Sequence, residues 1–167
     1  MEGIELIPKI IQPYFESTRQ TTDGDNNIIE GALTCCNAHD FEVLVVGKIK
    51  HTLFSKMFLC PENERTVFKV RCKKCGKVIS VFNSSCDGYG QCGKEFQSTC
   101  ASPRPINCKK CQNGDFSVTI KYEYPNDHEL QELEINDSDN AFTWIWITIE
   151  CNKCGTRYKN FVDCETT

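Results

Sequence analysis

Apolar residues recur at every second position over Phe116, Val118, Ile120, Tyr122 and Tyr124, with polar residues between them. That period predicts a half-buried β-strand, because successive side chains of a strand point to opposite faces. The run from Thr143 to Ile149 differs in being aromatic and β-branched at every position. It predicts a central strand running straight into Cys151. Tyr158, Phe161 and Val162 predict one more short strand after it. An earlier stretch repeats the scheme, with strands expected at Phe41–Val46, at Thr66–Val70 leading into Cys72, and at Val78–Phe82. Between the predicted strands, Pro125 to Asn140 is polar and acidic and reads as a long loop or splayed hairpin. Residues 86–107 contain Gly88, Gly90, Gly93, Pro103 and Pro105 and read as a linker. In residues 1–34, Pro8 and Pro13 break any long helix while Ile10, Ile11, Tyr14 and Phe15 call for burial. An N-terminal arm or short helix packed on the first strand group is expected there.

The two strand groups carry matching punctuation. Cys36, Asp40, Phe41 and Val43 align with Cys111, Asp115, Phe116 and Val118, each 75 positions later. Cys72-Lys-Lys-Cys75-Gly aligns with Cys151-Asn-Lys-Cys154-Gly at an offset of 79. Order, spacing and flanking residues recur together, which marks an internal duplication. The fold class expected is therefore mostly β with little helix, in two units at 35–85 and 108–167.

The chemistry of the repeat lies in its cysteines, 13 in 167 residues. Such density signals disulfides or metal. The opening Met-Glu-Gly-Ile-Glu-Leu-Ile-Pro-Lys has no basic and apolar leader pattern. No run reaches the roughly 18–20 apolar residues of a membrane span. A cytoplasmic protein with reduced thiols is expected, where Cys-x-x-Cys pairs serve as metal ligands. The odd count agrees, because one thiol at least has no partner within the chain. Cys108, Cys111, Cys151 and Cys154 form two such pairs around a predicted hairpin, and four ligands complete the tetrahedron that zinc prefers. In the first unit Cys72 and Cys75 are paired in the same way, but Leu33 stands where Cys108 would align. Cys36-Asn-Ala-His39 has knuckle spacing, so Cys36, His39, Cys72 and Cys75 are the expected ligands, with Cys35 as the alternative to complete the set. Loss of the metal from this unit is a further alternative. Cys60, Cys86, Cys92, Cys100 and Cys164 lack ligand spacing and read as small buried groups rather than a third site. His51 and His128 read as surface residues.

Charge is uneven within a net of −4. Residues 108–167 hold 11 Asp/Glu against 6 Lys/Arg, a net of −5, and the acids concentrate between Asp127 and Asp139. Lys69, Arg71, Lys73, Lys74 and Lys77 form a local basic run around the first knuckle. The overall balance lacks the basic footprint of a duplex binder, so nucleic-acid binding through this run is the weaker alternative to a solvated strand end. Hydrolytic motifs are absent: there is no His-Glu-x-x-His, no Gly-x-Ser-x-Gly and no phosphate loop. A zinc deaminase needs a His-x-Glu partner to its Cys-x-x-Cys, and none is present.

The two knuckles flanking a hairpin, carried by Cys72, Cys75, Cys108, Cys111, Cys151 and Cys154, resemble the zinc-ribbon superfamily. The resemblance covers about residues 33–82 and 106–164, as a tandem pair. Phe82-Asn-Ser-Ser-Cys86-Asp87-Gly88-Tyr89-Gly90 resembles a turn that follows a knuckle in uncharacterised bacterial zinc-ribbon proteins. The resemblance implies two structural zinc ions and a non-catalytic role with a protein partner and no membrane. Paired Cys-x-x-Cys-Gly knuckles are also similar to rubredoxin, which implies a single-iron electron carrier instead. Because each unit is small, removal of its metal is expected to unfold at least the second half.

Overall fold

A computed structural model describes residues 6–53, 56–91, 102–132 and 138–166. It is mostly β. The alternating run becomes β9 (Phe116–Tyr124), in which Phe116, Val118, Ile120, Tyr122 and Tyr124 are all buried. The run that is aromatic and β-branched on both faces becomes β10 (Trp144–Cys151), a central strand between β9 and β11 (Arg157–Glu165). Ile145, Ile147 and Ile149 are fully buried, while Trp144 and Trp146 on the opposite face are half-buried. The uneven spacing of Tyr158, Phe161 and Val162 has a local cause. The β10–β11 register slips between Ile147 and Ile149, and Asn160 takes a positive φ of 52°. That bulge turns Tyr158 and Phe161 both inward.

The first unit supplies β3 (Phe41–Val46), β6 (Val67–Cys72) and β7 (Val78–Asn83), paired in that order. Between β3 and β6 a separate hairpin forms from β4 (Lys48–His51) and β5 (Met57–Cys60). Its entry needs Gly47: φ is +148° there, and a Cβ would stand 2.7 Å from the Cys60 carbonyl oxygen.

The N-terminal segment departs from expectation. After a 3₁₀ turn at Gln12–Tyr14 its described residues form a hairpin of β1 (Phe15–Asp23) and β2 (Asn26–Leu33). It also packs on the other unit, because β2 pairs with β9 from Asn27↔Tyr124 to Ala32↔Thr119. Nothing in the polar strand β1 announced this, since its side chains are mostly exposed and only β2 carries the buried Ile28, Ile29 and Leu33. The expected loop at 125–140 contains a short helix, α1 (Asp127–Glu132). Asn126 Oδ1 accepts the Glu129 amide at 2.9 Å, and Asp127 and Glu129 in the first turn suit the helix dipole. The expected linker docks in part: Arg104–Pro105 form a two-residue strand, β8, on β3.

The two units meet by a pseudo-twofold relation. Phe41 pairs with Phe116, its own repeat counterpart, where β3 and β9 run antiparallel. Each phenylalanine also pairs with a cysteine, Phe41 with Cys72 and Phe116 with Cys151. Both units contribute to one apolar core. Phe68 of β6 meets Phe161 of β11 edge-on at 6.1 Å between ring centres, and Phe82 meets Phe142 at 6.2 Å.

Ile147 is fully buried at the centre of β10, in the core that both units share, so truncating it leaves a cavity there. Ile147→Ala is expected to cost about 3–4 kcal/mol in urea unfolding followed by tryptophan fluorescence. Thr119→Ala on the outer face of β9 is expected to stay below about 1 kcal/mol. Equal losses in the two variants would contradict this packing.

Candidate metal centre

The second site is built at the ends of three strands. Cys108 and Cys111 lie in the turn entering β9, Cys151 ends β10, and Cys154 sits in the turn to β11. Gly155, at φ 73°, closes that last turn by donating its amide to the Cys151 carbonyl at 2.9 Å. The Cys151 amide donates to Thr156 O at 2.9 Å, and Asn152 N donates to Asp115 O at 2.9 Å, tying the two knuckles together.

The first site repeats these bonds. Gly76, at φ 77°, donates to Cys72 O at 2.8 Å, and Cys72 N donates to Lys77 O at 2.9 Å. Lys73 N donates to Asp40 O at 3.0 Å. The entry knuckle is where the copies differ. In the second unit Cys108 N donates to Asn113 O at 2.8 Å, so four residues lie inside the turn. In the first, Cys35 and Ala38 exchange both backbone bonds at 3.0 Å, leaving only two. Those two, Cys36 and Asn37, both have φ 56°, as a type I′ turn requires.

This tight turn allows adjacent cysteines to converge. Cys35, Cys36, Cys72 and Cys75 bring their sulfurs within 4.8 Å of one another, as do Cys108, Cys111, Cys151 and Cys154. The four-sulfur group of the first unit, which could hold a metal, thus includes Cys35. His39 is exposed and stands outside the group: its Nδ1 lies 2.9 Å from the Leu33 carbonyl, to which it donates. The expectation of His39 rested on demanding two residues between ligands, and the I′ turn removes that demand. The usable signals were Asn37, which tolerates positive φ, and the alignment of Cys36 with Cys111.

The separations fit a metal. Sulfurs at the corners of a tetrahedron with metal–sulfur bonds of about 2.3 Å lie about 3.8 Å apart. Here Cys35–Cys75 is 3.7 Å, Cys35–Cys36 is 3.9 Å, Cys108–Cys154 is 3.6 Å and Cys111–Cys151 is 3.5 Å. These are far beyond the roughly 2.05 Å of a disulfide. Crowding also splits the acidities of the thiols. Burial and the neighbouring sulfurs push Cys35 up to about 12, while the Thr156 hydroxyl and amide pull Cys154 down to about 6. The Lys77 amide draws Cys75 down to about 7. Four thiolates this close repel one another, and a cation between them removes the conflict.

The surroundings of the two sites are unequal. In the second, Lys109 N donates to the Tyr158 hydroxyl at 3.0 Å, which in turn lies 3.3 Å from Cys108 Sγ. Thr156 Oγ1 is 3.1 Å from Cys154 Sγ, and Asn113 Nδ2 donates to Cys151 Sγ at 3.8 Å. The corresponding residues of the first unit are Ile79, Lys77 and Ala38. There Cys36 and Cys75 are exposed as well. The remaining cysteines with described positions, Cys60, Cys86 and Cys164, join neither group. Cys92 and Cys100 lie outside the described residues, as does part of the acidic stretch.

Lys69, Arg71, Lys73, Lys74 and Lys77 surround the first knuckle, and three of them are engaged. Arg71 binds Glu42 at 2.6 Å, Lys74 Nζ donates to Cys36 O at 3.3 Å, and Lys77 Nζ lies 5.1 Å over the Tyr14 ring. Both histidines expected at the surface, His51 and His128, are exposed. No family model, curated protein or solved structure matches the chain.

Proposed function

We propose that this chain is a tandem zinc-ribbon-like protein whose two zinc ions are structural, and that it works as a non-catalytic protein-interaction module. The observation that carries the reading is the pair of four-sulfur groups, each with its sulfurs within 4.8 Å of one another and two of its separations close to a tetrahedral edge. Four protein ligands leave no position for water or substrate, which is the arrangement of a structural rather than a catalytic site. A zinc–tetrathiolate carries a net charge of −2, and the cations near each group offset it: Lys73, Lys74 and Lys77 at the first, Lys109, Lys110 and Lys153 at the second. This use of the basic run favours a structural role over nucleic-acid binding. An S₄ tetrahedron accepts iron as well as zinc, so a rubredoxin-like electron carrier shares the geometry and is separated by its red colour.

The surface suited to a partner is the outer face of β10 and its neighbours. Trp144 and Trp146 stack with ring centres 5.5 Å apart and planes 11° from parallel. Lys121 Nζ lies 4.5 Å from the Trp146 ring centre, and Trp144 Nε1 donates to Asp163 at 2.7 Å. Beside them a shallow groove of about 400 Å³ is lined by Arg19, Asp23, Glu30, Lys121 and Glu123 among others. Aromatic rings are enriched at the centre of protein interfaces and polar groups at their rim, and this face offers a tryptophan pair with polar groups around it.

Elemental analysis by native mass spectrometry is expected to give two zinc ions per chain, one for Cys154→Ser and one for Cys75→Ser. One zinc in the unaltered chain, or none, would contradict the reading, and iron would move it to electron transfer. The donors around Cys108 and Cys154 predict unequal grip. Under a graded chelator at pH 7 the metal of the first site is expected to leave first. Tyr158→Phe is expected to speed loss from the second by about tenfold, the usual effect of removing a partner of a ligand. Simultaneous loss from both sites, unaffected by Tyr158→Phe, would count against it.

A further inference from the structure

The side chain of Asn152 hydrogen-bonds to residues of both units. Asn152 follows the ligand Cys151 directly. Its Nδ2 donates to Asp115 Oδ1 at 3.1 Å within its own unit. The same nitrogen donates to Asp40 Oδ1 at 3.0 Å and lies 3.4 Å from the His39 carbonyl, both in the other unit. Its Oδ1 accepts the Ser117 hydroxyl at 2.6 Å, which fixes the amide orientation so that the nitrogen faces the two carboxylates. Asp40 and Asp115 are repeat counterparts, and each uses its backbone carbonyl to hold the opposite knuckle of its own site, Asp40 on Lys73 and Asp115 on Asn152. The residue at the corresponding place of the first unit is Lys73. The link is therefore built once, from the second unit toward the first.

We infer that Asn152 is a positioning residue shared by the two metal sites, and that through it metal at the second site raises the affinity of the first. The inference rests on both four-cysteine groups holding metal. The second site fixes Cys151, and with it the backbone of Asn152. The Asn152 amide then holds Asp40, whose carbonyl accepts the Lys73 amide adjacent to ligand Cys72. Asp40 is four residues beyond ligand Cys36 and is joined to Cys72 through the Phe41↔Cys72 pair. Ordering at one site lowers the conformational cost of closing the other, a coupling free energy that is reciprocal. Two carboxylates held on one amide also repel each other when the amide is displaced, so disorder at Cys151 is felt at Asp40.

The test is a thermodynamic cycle on the full chain, with zinc alone as the titrant and a competing colorimetric chelator as the readout. First-site affinity is measured with the second site intact and with it disabled by Cys154→Ser. The expected ratio is about tenfold in favour of the intact chain, in the ordinary range of allosteric coupling. Asn152→Ala is expected to reduce that ratio to about twofold, and Asn152→Ala combined with Cys154→Ser to add little to Cys154→Ser alone. Asp40→Ala is expected to collapse the ratio in the same way while leaving unchanged the second-site affinity measured with the first site disabled by Cys75→Ser, which a general loss of folding would not do. A first-site affinity indifferent to Cys154→Ser, or a tenfold ratio that survives both Asn152→Ala and Asp40→Ala, would overturn the inference. A chain that binds no zinc at either group would instead overturn the reading of the sites themselves.

Discussion

The structure depends on four sulfurs having to meet at one point, twice. A tetrahedron of thiolates allows separations of about 3.8 Å and no more than small departures from it. Every local feature near the sites serves that constraint. Gly76 and Gly155 turn the chain back after the last cysteine of each unit at positive φ. Backbone amides at Lys73 and Asn152 lock one knuckle to the other. The strands β6 and β10 end on a ligand, Cys72 and Cys151, so the sheet itself sets where half of each site stands.

The sheet in turn joins the units more closely than two independent ribbons would be joined. Phe41 pairs with Phe116, and each is the neighbour of a ligand cysteine. β9 carries β2 on one side and β10 on the other, so the N-terminal hairpin completes the second unit rather than the first. The contacts of Phe68 with Phe161 and of Phe82 with Phe142 close one core over both halves. The apolar core is therefore shared by both units rather than divided between them. Metal binding is worth about 10–16 kcal/mol in finger peptides, and here both four-cysteine groups that could hold a metal lie on knuckles joined to a common core.

Much of this was legible in the residues. The period of two in β9, the unbroken apolar character of β10 and the 75- and 79-residue offsets each correspond to an element or pairing. The complete four-cysteine set of the second unit could be written down from spacing alone. The first unit could not, because the ligand spacing there is set by a two-residue turn at Cys36 and Asn37, and turn type is a backbone property that adjacent cysteines do not advertise. The hairpin of β1 and β2 was hidden for a different reason. β1 is an edge strand with mainly exposed side chains, so it lacks the apolar alternation that reveals strands, and Pro8 and Pro13 drew attention to the wrong part of the segment. The bond from Asn152 to Asp40 spans 112 positions and has no sequence signal at all.

X-ray absorption at the zinc edge of the purified chain tests the central claim most directly, because it reads the ligand atoms around the metal. Two closed four-cysteine sites predict a single shell of four sulfurs per zinc at about 2.3 Å, with no nitrogen or oxygen scatterer. A resolved nitrogen or oxygen shell near about 2.0 Å, from His39 or from water, would contradict it.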